Sequence, residues 1–159
     1  MLLKFGARID VQNQDGYTPL HHAVYRGNKS LVEFLLRNGA DPNKAKNDGS
    51  TALHIICDSE SDDAAFLETF FKICKDTRQK LQCEAQDNKG LTPLQFAVTN
   101  ARPNMVNVLL NHGADPFSFV LPTAKQFDDV NIYRIFDWED KLKIASGRLI
   151  IVERLEKRG

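Results

Sequence analysis

Residues 15–40 read Asp-Gly-Tyr-Thr-Pro-Leu-His-His-Ala-Val-Tyr-Arg-Gly-Asn-Lys-Ser-Leu-Val-Glu-Phe-Leu-Leu-Arg-Asn-Gly-Ala, which predicts a turn, two short helices and a stop. Thr18 is a good N-cap, and Pro19 fits the first helical position, where its missing N–H costs nothing. Gly27 is expected to close the first helix, and Gly39 stands where a left-handed C-cap is needed after the second. The stretch therefore predicts a helix-turn-helix unit.

The apolar residues of this unit recur at helical spacing. Leu20 and Ala23 share one face of the first helix. The second helix carries one apolar stripe made of Leu31, Val32, Leu35 and Leu36. Two helices this short are marginal alone, because nucleation is costly and the stripe has nothing to bury against. The unit therefore needs copies of itself on either side.

The copies are present in the chain. Thr18-Pro19-Leu20-His21 is followed 33 residues later by Thr51-Ala52-Leu53-His54, and 41 residues after that by Thr92-Pro93-Leu94-Gln95. The Leu-Leu and Gly-Ala pairs that end the unit recur at 109–114 and, upstream, at 2–7. A period near 33 with these motifs resembles the ankyrin repeat family over residues 1–118.

The resemblance implies an all-α solenoid of stacked helix-turn-helix pairs joined by β-hairpin fingers. We expect the units to divide as 1–14 (partial), 15–47, 48–87 and 88–118. In the last unit Pro103 is predicted to open the second helix, whose core face is formed by Val106, Leu109 and Leu110.

Both ends of the chain depart from the repeat. Residues 1–7 read as the last turn of a helix whose partner is missing, which indicates a degenerate cap or, as we favour, a fragment of a longer protein. Residues 119–159 are predicted to form a helical C-terminal extension that caps the solenoid. A degenerate repeat is one interpretation of this extension, because residues 151–155 echo residues 31–35.

The repeat at 48–87 is longer than its neighbours. It carries an acidic turn at 58–63, Asp-Ser-Glu-Ser-Asp-Asp, and a polar segment at 75–80. We expect the extra residues in these two regions, because insertions in solenoids fall in loops. The acidic turn is either a tolerated extension or a recognition loop, with Ser59 and Ser61 as candidate phosphorylation sites. The helix between the two regions carries a wide apolar stripe of Phe66, Leu67, Phe70, Phe71 and Ile73.

Composition excludes several functional classes. The 21 basic and 21 acidic side chains give zero net charge, so the chain lacks the basic surface expected of a nucleic-acid binder. No apolar run reaches the ~18 residues of a membrane span. Three cysteines, Cys57, Cys74 and Cys83, without paired spacing argue against a disulfide framework and favour a reducing compartment, cytoplasmic or nuclear.

No grouping of residues predicts catalysis, a cofactor or a metal site. The chain has no Gly-x-Gly-x-x-Gly, Gly-x-Ser-x-Gly, His-Glu-x-x-His or Walker-type loop, and no zinc-ligand spacing. His21 and His54 are the most reactive candidates, but the resemblance implies that each bonds backbone between repeats. Asp62-Asp63 and Asp128-Asp129 are adjacent carboxylates on turns or helix starts, which we expect to serve capping or solubility rather than to act as general acids. We therefore expect a non-enzymatic protein without a cofactor.

The resemblance also implies a contact face, built from the finger tips and the ends of the first helices. On this sequence the face consists of Gln14, Asp15, Tyr17, Tyr25 and Arg26, then Asn47, Asp48, Ser50, Asp58 and Ser59, and then Asn88, Lys89, Leu91, Thr99 and Asn100. Tyrosine and arginine dominate interface hot spots, which favours Tyr17, Tyr25 and Arg26 as its centre. Leu91 is expected to be exposed on its finger.

These observations predict a monomeric module that binds a protein partner through its finger tips and concave helix face. One alternative is an adaptor region of a larger multidomain protein, in which residues 119–159 join the solenoid to another domain. A second is a short inhibitor-type decoy of a signalling or transcription factor, in which the acidic turn would meet a basic partner.

Overall fold

The computed structural model describes residues 8–115, which form six helices and, within that range, no strand. The helices are α1 (Pro19–Tyr25), α2 (Lys29–Arg37), α3 (Ala52–Asp58), α4 (Ala64–Asp76), α5 (Pro93–Thr99) and α6 (Pro103–Asn111). They follow one another as three helical hairpins. The first helices of the hairpins pack side by side as an inner layer, and the second helices pack as an outer layer. This is the predicted all-α solenoid.

Each inner helix begins at its predicted threonine. The Thr18 hydroxyl accepts from the backbone N–H of His21 at 3.3 Å, and the Thr18 N–H donates to His21 Nδ1 at 3.0 Å. This reciprocal capping box satisfies donors that the first helical turn leaves without partners. The same box opens α3 and α5, and proline fills the first position of α1 and α5.

The apolar stripes meet in one continuous core. Leu20, Leu53 and Leu94 hold the same position in the three inner helices and are at most 1% exposed. The outer helices bury the predicted residues Val32, Leu35, Leu36, Phe66, Leu67, Phe70, Phe71, Ile73, Val106, Leu109 and Leu110. Because successive hairpins cover one another in this way, the solenoid positions its turns and helix ends as one continuous surface.

Leu31 is the exception in the predicted stripe of α2. It is 41% exposed, whereas its counterparts Phe66 and Met105 are 6% and 0% exposed. Lys29 Nζ of α2 lies 5.6 Å from the centre of the Phe66 ring, so Phe66 faces the outer helix that precedes its own. Within residues 8–115 no outer helix precedes α2, so its corresponding face is open. The prediction that Leu31 lies in the core is therefore wrong for the described part of the chain.

At two helix ends a residue with a Cβ takes the left-handed position that glycine holds after α1, α2 and α6. Gly27 and Gly39 follow α1 and α2 with φ of +63° and +92°, as predicted. The same left-handed position after α4 and α5 is held by Arg78, with φ of 57°, and Ala101, with φ of 53°. A residue with a Cβ in this region costs roughly 1 kcal/mol relative to glycine. These two turns are therefore strained.

The inserted residues of the second repeat are divided between helix and loops. Helix α4 has 13 residues against 9 in α2 and in α6, so the insertion lengthens it by about one turn. The remainder falls in the turn at 59–63 and in the connection at 77–91. The prediction that the extra residues lie in loops is thus wrong in part, because Lys75 and Asp76 belong to the helix.

The acidic turn begins α4 and ties it to the preceding repeat. Asp63 is the N-cap, and its Oδ1 accepts from the Phe66 N–H at 2.9 Å. Its Oδ2 lies 3.0 Å from Lys29 Nζ on α2. The bond from Phe66, assisted by Lys29, lowers the pKa of the Asp63 carboxyl. Asp63 is therefore a helix cap, which is one of the two roles predicted for the Asp62-Asp63 pair.

The same turn also caps α6, the outer helix of the next repeat. Arg102, the N-cap residue of α6, supplies no side-chain cap. Instead the Asp62 carboxylate accepts the N–H groups of Asn104 and Met105 at 3.2 and 3.0 Å. The Arg102 guanidinium in turn donates two bonds to the Ser59 carbonyl, at 3.0 and 3.2 Å. The acidic turn is therefore a joint between the second and third repeats.

Two predictions fall on residues outside the described range. They are the helical turn at residues 1–7 and the helical extension at residues 119–159.

Candidate protein-interaction surface

The connections between repeats form projecting fingers that are bonded to one another. The Asn47 N–H donates to the Asp15 carbonyl at 3.2 Å, and Asn47 Nδ2 donates to the Gln14 carbonyl at 2.7 Å. One repeat further on, the Asn88 N–H donates to the Asp48 carbonyl and Asn88 Nδ2 to the Asn47 carbonyl, both at 2.9 Å. These members of the predicted contact set therefore hold the fingers in register.

Glycine allows the fingers to approach so closely. Gly49 has φ of +83°, and a Cβ on it would lie 2.7 Å from the backbone nitrogen of Asn88. A Cβ on Gly16 would likewise lie 2.6 Å from the backbone nitrogen of Asn47. A side chain at either place would need both a left-handed backbone and a wider gap between fingers. The spacing of the finger surface is thus fixed by backbone contact.

Two members of the predicted contact set are buried. Ser50 and Leu91 follow their finger glycines and are each 7% exposed. The Leu91 carbonyl accepts from His54 Nε2 at 2.9 Å, which holds this residue in the joint between repeats. The prediction that Leu91 is exposed is therefore wrong. Ser50 and Leu91 each directly precede a capping threonine and pack between repeats. Neither side chain therefore offers much surface to a partner.

Tyr17 holds the same position in the first finger and is half-buried. Its ring stacks on that of His22 with centroids 5.0 Å apart, and Lys46 Nζ lies 4.7 Å from its centroid. Lys46 Nζ also lies 2.8 Å from Asp48 Oδ2. Burial opposes the Lys46 charge, but the hydrogen bonds to Asp48 and Tyr17 outweigh it and raise the Lys46 pKa. Tyr17 is thus part of the finger's internal structure as well as its surface.

Tyr25 and Arg26 lie at the C-terminal end of α1 and are both exposed. Tyr25 has 74% of its surface in solvent, the largest exposure among the large apolar side chains of residues 8–115. The corresponding residue in the third repeat is Thr99, whose neighbour Asn100 donates to Asp58 Oδ1 at 3.2 Å. The end of α1 therefore presents more accessible side-chain surface than the ends of α3 and α5.

A row of side chains on the inner layer was not predicted from the sequence. His22, Ile55 and Phe96 hold one position in α1, α3 and α5, and each is partly or fully exposed. This position is three residues before Tyr25 and its counterparts, so the two rows share a helix face. The available signal was an apolar residue directly after two of the three motifs, Ile55 after the second and Phe96 after the third.

The histidines that carried the catalytic alternative are structural. Nε2 of His21 lies 2.9 Å from the Lys44 carbonyl, and Nε2 of His54 lies 2.9 Å from the Leu91 carbonyl. Burial lowers the pKa of both imidazoles. Since Nδ1 of each accepts a threonine N–H, the neutral ring with its proton on Nε2 satisfies every bond. This is the backbone contact between repeats that the resemblance implied.

The three cysteines are free thiols. Cys57 and Cys74 are buried and Cys83 is half-buried. Burial raises the pKa of Cys57 and of Cys83, and it raises that of Cys74 to about 12. Protonated thiols are poor nucleophiles. Among residues 8–115 there is also no group of three metal-ligating side chains, and no helix there has the length and apolarity to cross a membrane.

Comparison with known proteins identifies the repeat. A family model described as ankyrin repeats in three copies matches residues 1–75, and a model of a single ankyrin repeat matches residues 89–118. Similar proteins include an ankyrin repeat protein of Rickettsia bellii, 34% identical over 111 residues, and the mouse B-cell lymphoma 3 protein homolog, 34% identical over 117 residues. NF-kappa-B inhibitor cactus of Drosophila melanogaster is 30% identical over 132 residues.

These matches cover 69%, 72% and 82% of this chain. They span only 31%, 25% and 25% of the three relatives, so the chain corresponds to a minor part of each. The matched residues include all three capping boxes and the finger glycines described above. The chain belongs to the ankyrin repeat family.

Proposed function

We propose that this chain binds a protein partner through the inner layer and fingers of its solenoid, with Tyr25 and Arg26 at the centre of the contact. Ankyrin repeats are protein-interaction modules. The observation that carries the assignment is the 74% exposure of Tyr25 beside an exposed arginine at the end of α1. Tyrosine and arginine are enriched where binding energy concentrates.

The surroundings of this pair have the composition of a binding surface. Ile55 and Phe96 continue the inner row away from α1 as partly exposed apolar side chains. The finger residues Gln14, Asp15 and Asn88 are polar and exposed. An apolar strip with an aromatic anchor and a polar margin is the usual anatomy of a protein interface.

The test is partner capture followed by mutation. Affinity purification of the full-length protein with mass spectrometry identifies the partner, and binding is then measured for Tyr25→Ala combined with Arg26→Ala. We expect at least a tenfold loss, since truncated hot-spot residues cost ~2 kcal/mol or more. Tyr17 is left intact, because its contacts with His22 and Lys46 support the first finger.

Phe34→Ala is the matched control for this experiment. Phe34 is an aromatic residue with 47% exposure on the outer helix α2. It should keep wild-type affinity if the partner lies on the inner layer. Full binding by the Tyr25 and Arg26 double variant, or loss in the Phe34 variant alone, would place the partner elsewhere.

The inhibitor-type decoy is the second candidate function. One relative is named an NF-kappa-B inhibitor and another is the B-cell lymphoma 3 protein homolog. In this candidate the partner is a transcription factor of that kind, and the protein acts in the cytoplasm or nucleus. Titration of the chain against purified NF-kappa-B tests it, and the absence of binding at micromolar concentration would reject it.

The adaptor alternative depends on the domain limits. It assigns residues 1–118 to the repeats and residues 119–159 to a helical extension that joins another domain. Limited proteolysis of the natural full-length product would then cut first on the C-terminal side of residue 118, and the released repeats would retain partner binding. Loss of binding on this cleavage would show that the extension is part of the site.

A further inference from the structure

The added turn of α4 forms one wall of a groove on the outer layer, on the side away from the proposed partner surface. The groove has a volume of about 510 Å³. Phe71, Leu81 and Cys83 line it with apolar surface, and Lys72, Lys75 and His112 lie around them. The volume falls in the ~300–1,000 Å³ range of binding sites. This groove is a product of the insertion in the second repeat.

Hydrogen bonds hold the wall that follows α4 in place. Gln79 Nε2 donates to the Ala40 carbonyl at 2.8 Å, and the Thr77 hydroxyl donates to Gln79 Oε1 at 3.1 Å. Asn43 Nδ2 donates to the Lys80 carbonyl at 2.7 Å. The groove is therefore preformed, so that an occupant would not have to order it.

The charges around the groove indicate what it accepts. Glu68 Oε2 lies 2.9 Å from His112 Nε2, and the His112 ring stacks on Phe71 with centroids 4.0 Å apart. The acidic side chain is thus committed to the neighbouring imidazole. Lys72 and Lys75 are exposed and place two positive charges along the rim. An aromatic side chain next to carboxylates is complementary to this combination.

We propose that residues 136–140 of this chain, Phe-Asp-Trp-Glu-Asp, bind in this groove. These five residues, which lie outside the described range, combine two aromatic side chains with three carboxylates. The apolar floor would take a ring of Phe136 or Trp138. The carboxylates of Asp137 and Glu139 would meet Lys72 and Lys75.

The path of the chain supports this occupant over a separate molecule. The last described residue, Asp115, donates its N–H to Glu84 Oε1 at 2.9 Å, directly beside Cys83 in the groove. From there ~20 residues lead to Phe136, a length that spans ~30 Å even in a helix, so the segment can reach the groove. Tethering at this distance gives the segment a local concentration in the millimolar range.

The experiment uses the full chain and two reporters that it already contains. Cys57 and Cys74 are at most 1% exposed, so a thiol reagent applied to the native protein reports on Cys83. Trp138 is the single tryptophan of the chain. The double variant Phe136→Ser with Trp138→Ser should accelerate Cys83 labelling about tenfold. A segment that binds with a dissociation constant of ~0.1 mM and has a local concentration of ~1 mM would protect the thiol by that factor. Phe127→Ser, in the weaker Phe-Asp-Asp segment, is the matched control and should leave the rate unchanged.

Charge reversal tests the pairing directly. The double variant Lys72→Glu with Lys75→Glu should accelerate Cys83 labelling and shift Trp138 emission to the red. Lys80→Glu with Lys89→Glu is the control, because it changes the net charge equally but outside the groove. It should change neither signal. Adding Asp137→Lys and Glu139→Lys to the first pair should restore both signals.

Three outcomes would overturn the proposal. They are equal labelling rates in the wild type and the Phe136 and Trp138 variant, failure of the swapped charges to restore protection, and protection that depends on protein concentration, which indicates a second copy. Global unfolding is recognised separately, because mass spectrometry would then show all three cysteines labelled.

Discussion

Asp62 Oδ1 lies 3.0 Å from the backbone nitrogen of Met105, a residue 43 positions further along the chain and in the next repeat. A helix usually takes its N-cap from the residue that immediately precedes it. Helix α6 instead takes it from an inserted turn in the preceding repeat. The insertion thus replaces a local contact by one that joins two repeats.

Asp62→Ala should destabilise the protein by about 1–2 kcal/mol, the usual cost of removing a helix cap. Urea unfolding followed by circular dichroism measures the change. Glu60→Ala, in the same turn, is the control and should change the stability by less than ~0.5 kcal/mol. Equal effects of the two substitutions would show that the cap contributes nothing.

Ala101→Gly should stabilise the protein by about 0.5–1 kcal/mol, because Ala101 has φ of 53° and glycine adopts this conformation without steric cost. Arg78→Gly, at φ of 57°, should act in the same direction. The reverse change, Gly27→Ala, should destabilise by a similar amount. The midpoint of thermal unfolding checks all three, and a lower midpoint for Ala101→Gly would contradict the strain.

Gly49→Ala should cost more stability than Gly39→Ala, although both glycines have positive φ. A Cβ on Gly39 meets no atom within 4 Å, whereas one on Gly49 would lie 2.7 Å from the Asn88 backbone nitrogen. We expect ~1 kcal/mol for Gly39→Ala from backbone strain alone and ~2 kcal/mol or more for Gly49→Ala. Equal losses would mean that the fingers separate without cost.

Stability should fall as the pH drops below about 6.5, the ordinary histidine value from which burial lowers the pKa of His21 and His54. Just below that pH the unfolded chain binds more protons than the folded one. This contribution is therefore complete above pH 6.5 and is lost on acidification towards the lowered pKa. Asp63, whose pKa is also lowered, gives a separate loss of stability only in a more acidic range, below the ordinary aspartate value of 3.8.

The chain supplies the control for this titration. Gln95 forms the capping box of α5 without an ionisable ring. Replacing both histidines by glutamine should keep the boxes and flatten the stability profile between about pH 7 and pH 5. Chemical unfolding at a series of pH values measures the slope, and an unchanged slope in the double variant would assign the pH dependence to other groups.

The features that the sequence predicted correctly depend on near neighbours. Thr18 and His21 are three residues apart, so their capping box follows from local geometry. The stripe of α6 and the turn at Gly27 are equally local. Repetition then supplied the stack, because each unit has to bury its apolar face against another.

The features that it missed depend on contacts between repeats. Leu91 looks like a finger residue in sequence, but it is buried in the joint between repeats, where His54 of the preceding repeat bonds its carbonyl. Leu31 matches the core residues Phe66 and Met105, yet its exposure depends on what precedes α2. Asp62 was assigned to capping or solubility, and nothing in its neighbourhood indicates that it caps α6. Such positions are decided by neighbours more than 30 residues away.

The bonds between repeats also decide how the array responds to a pulling force. Second and third repeats share the Asp62 cap, the two Arg102 bonds to Ser59 and the contact of Asn100 with Asp58. First and second repeats share the pair of Lys29 with Asp63 and the bonds of Gln79 to Ala40 and of Asn43 to Lys80. Since both boundaries are bonded in this way, the three described hairpins should unravel under force in one cooperative step rather than one at a time.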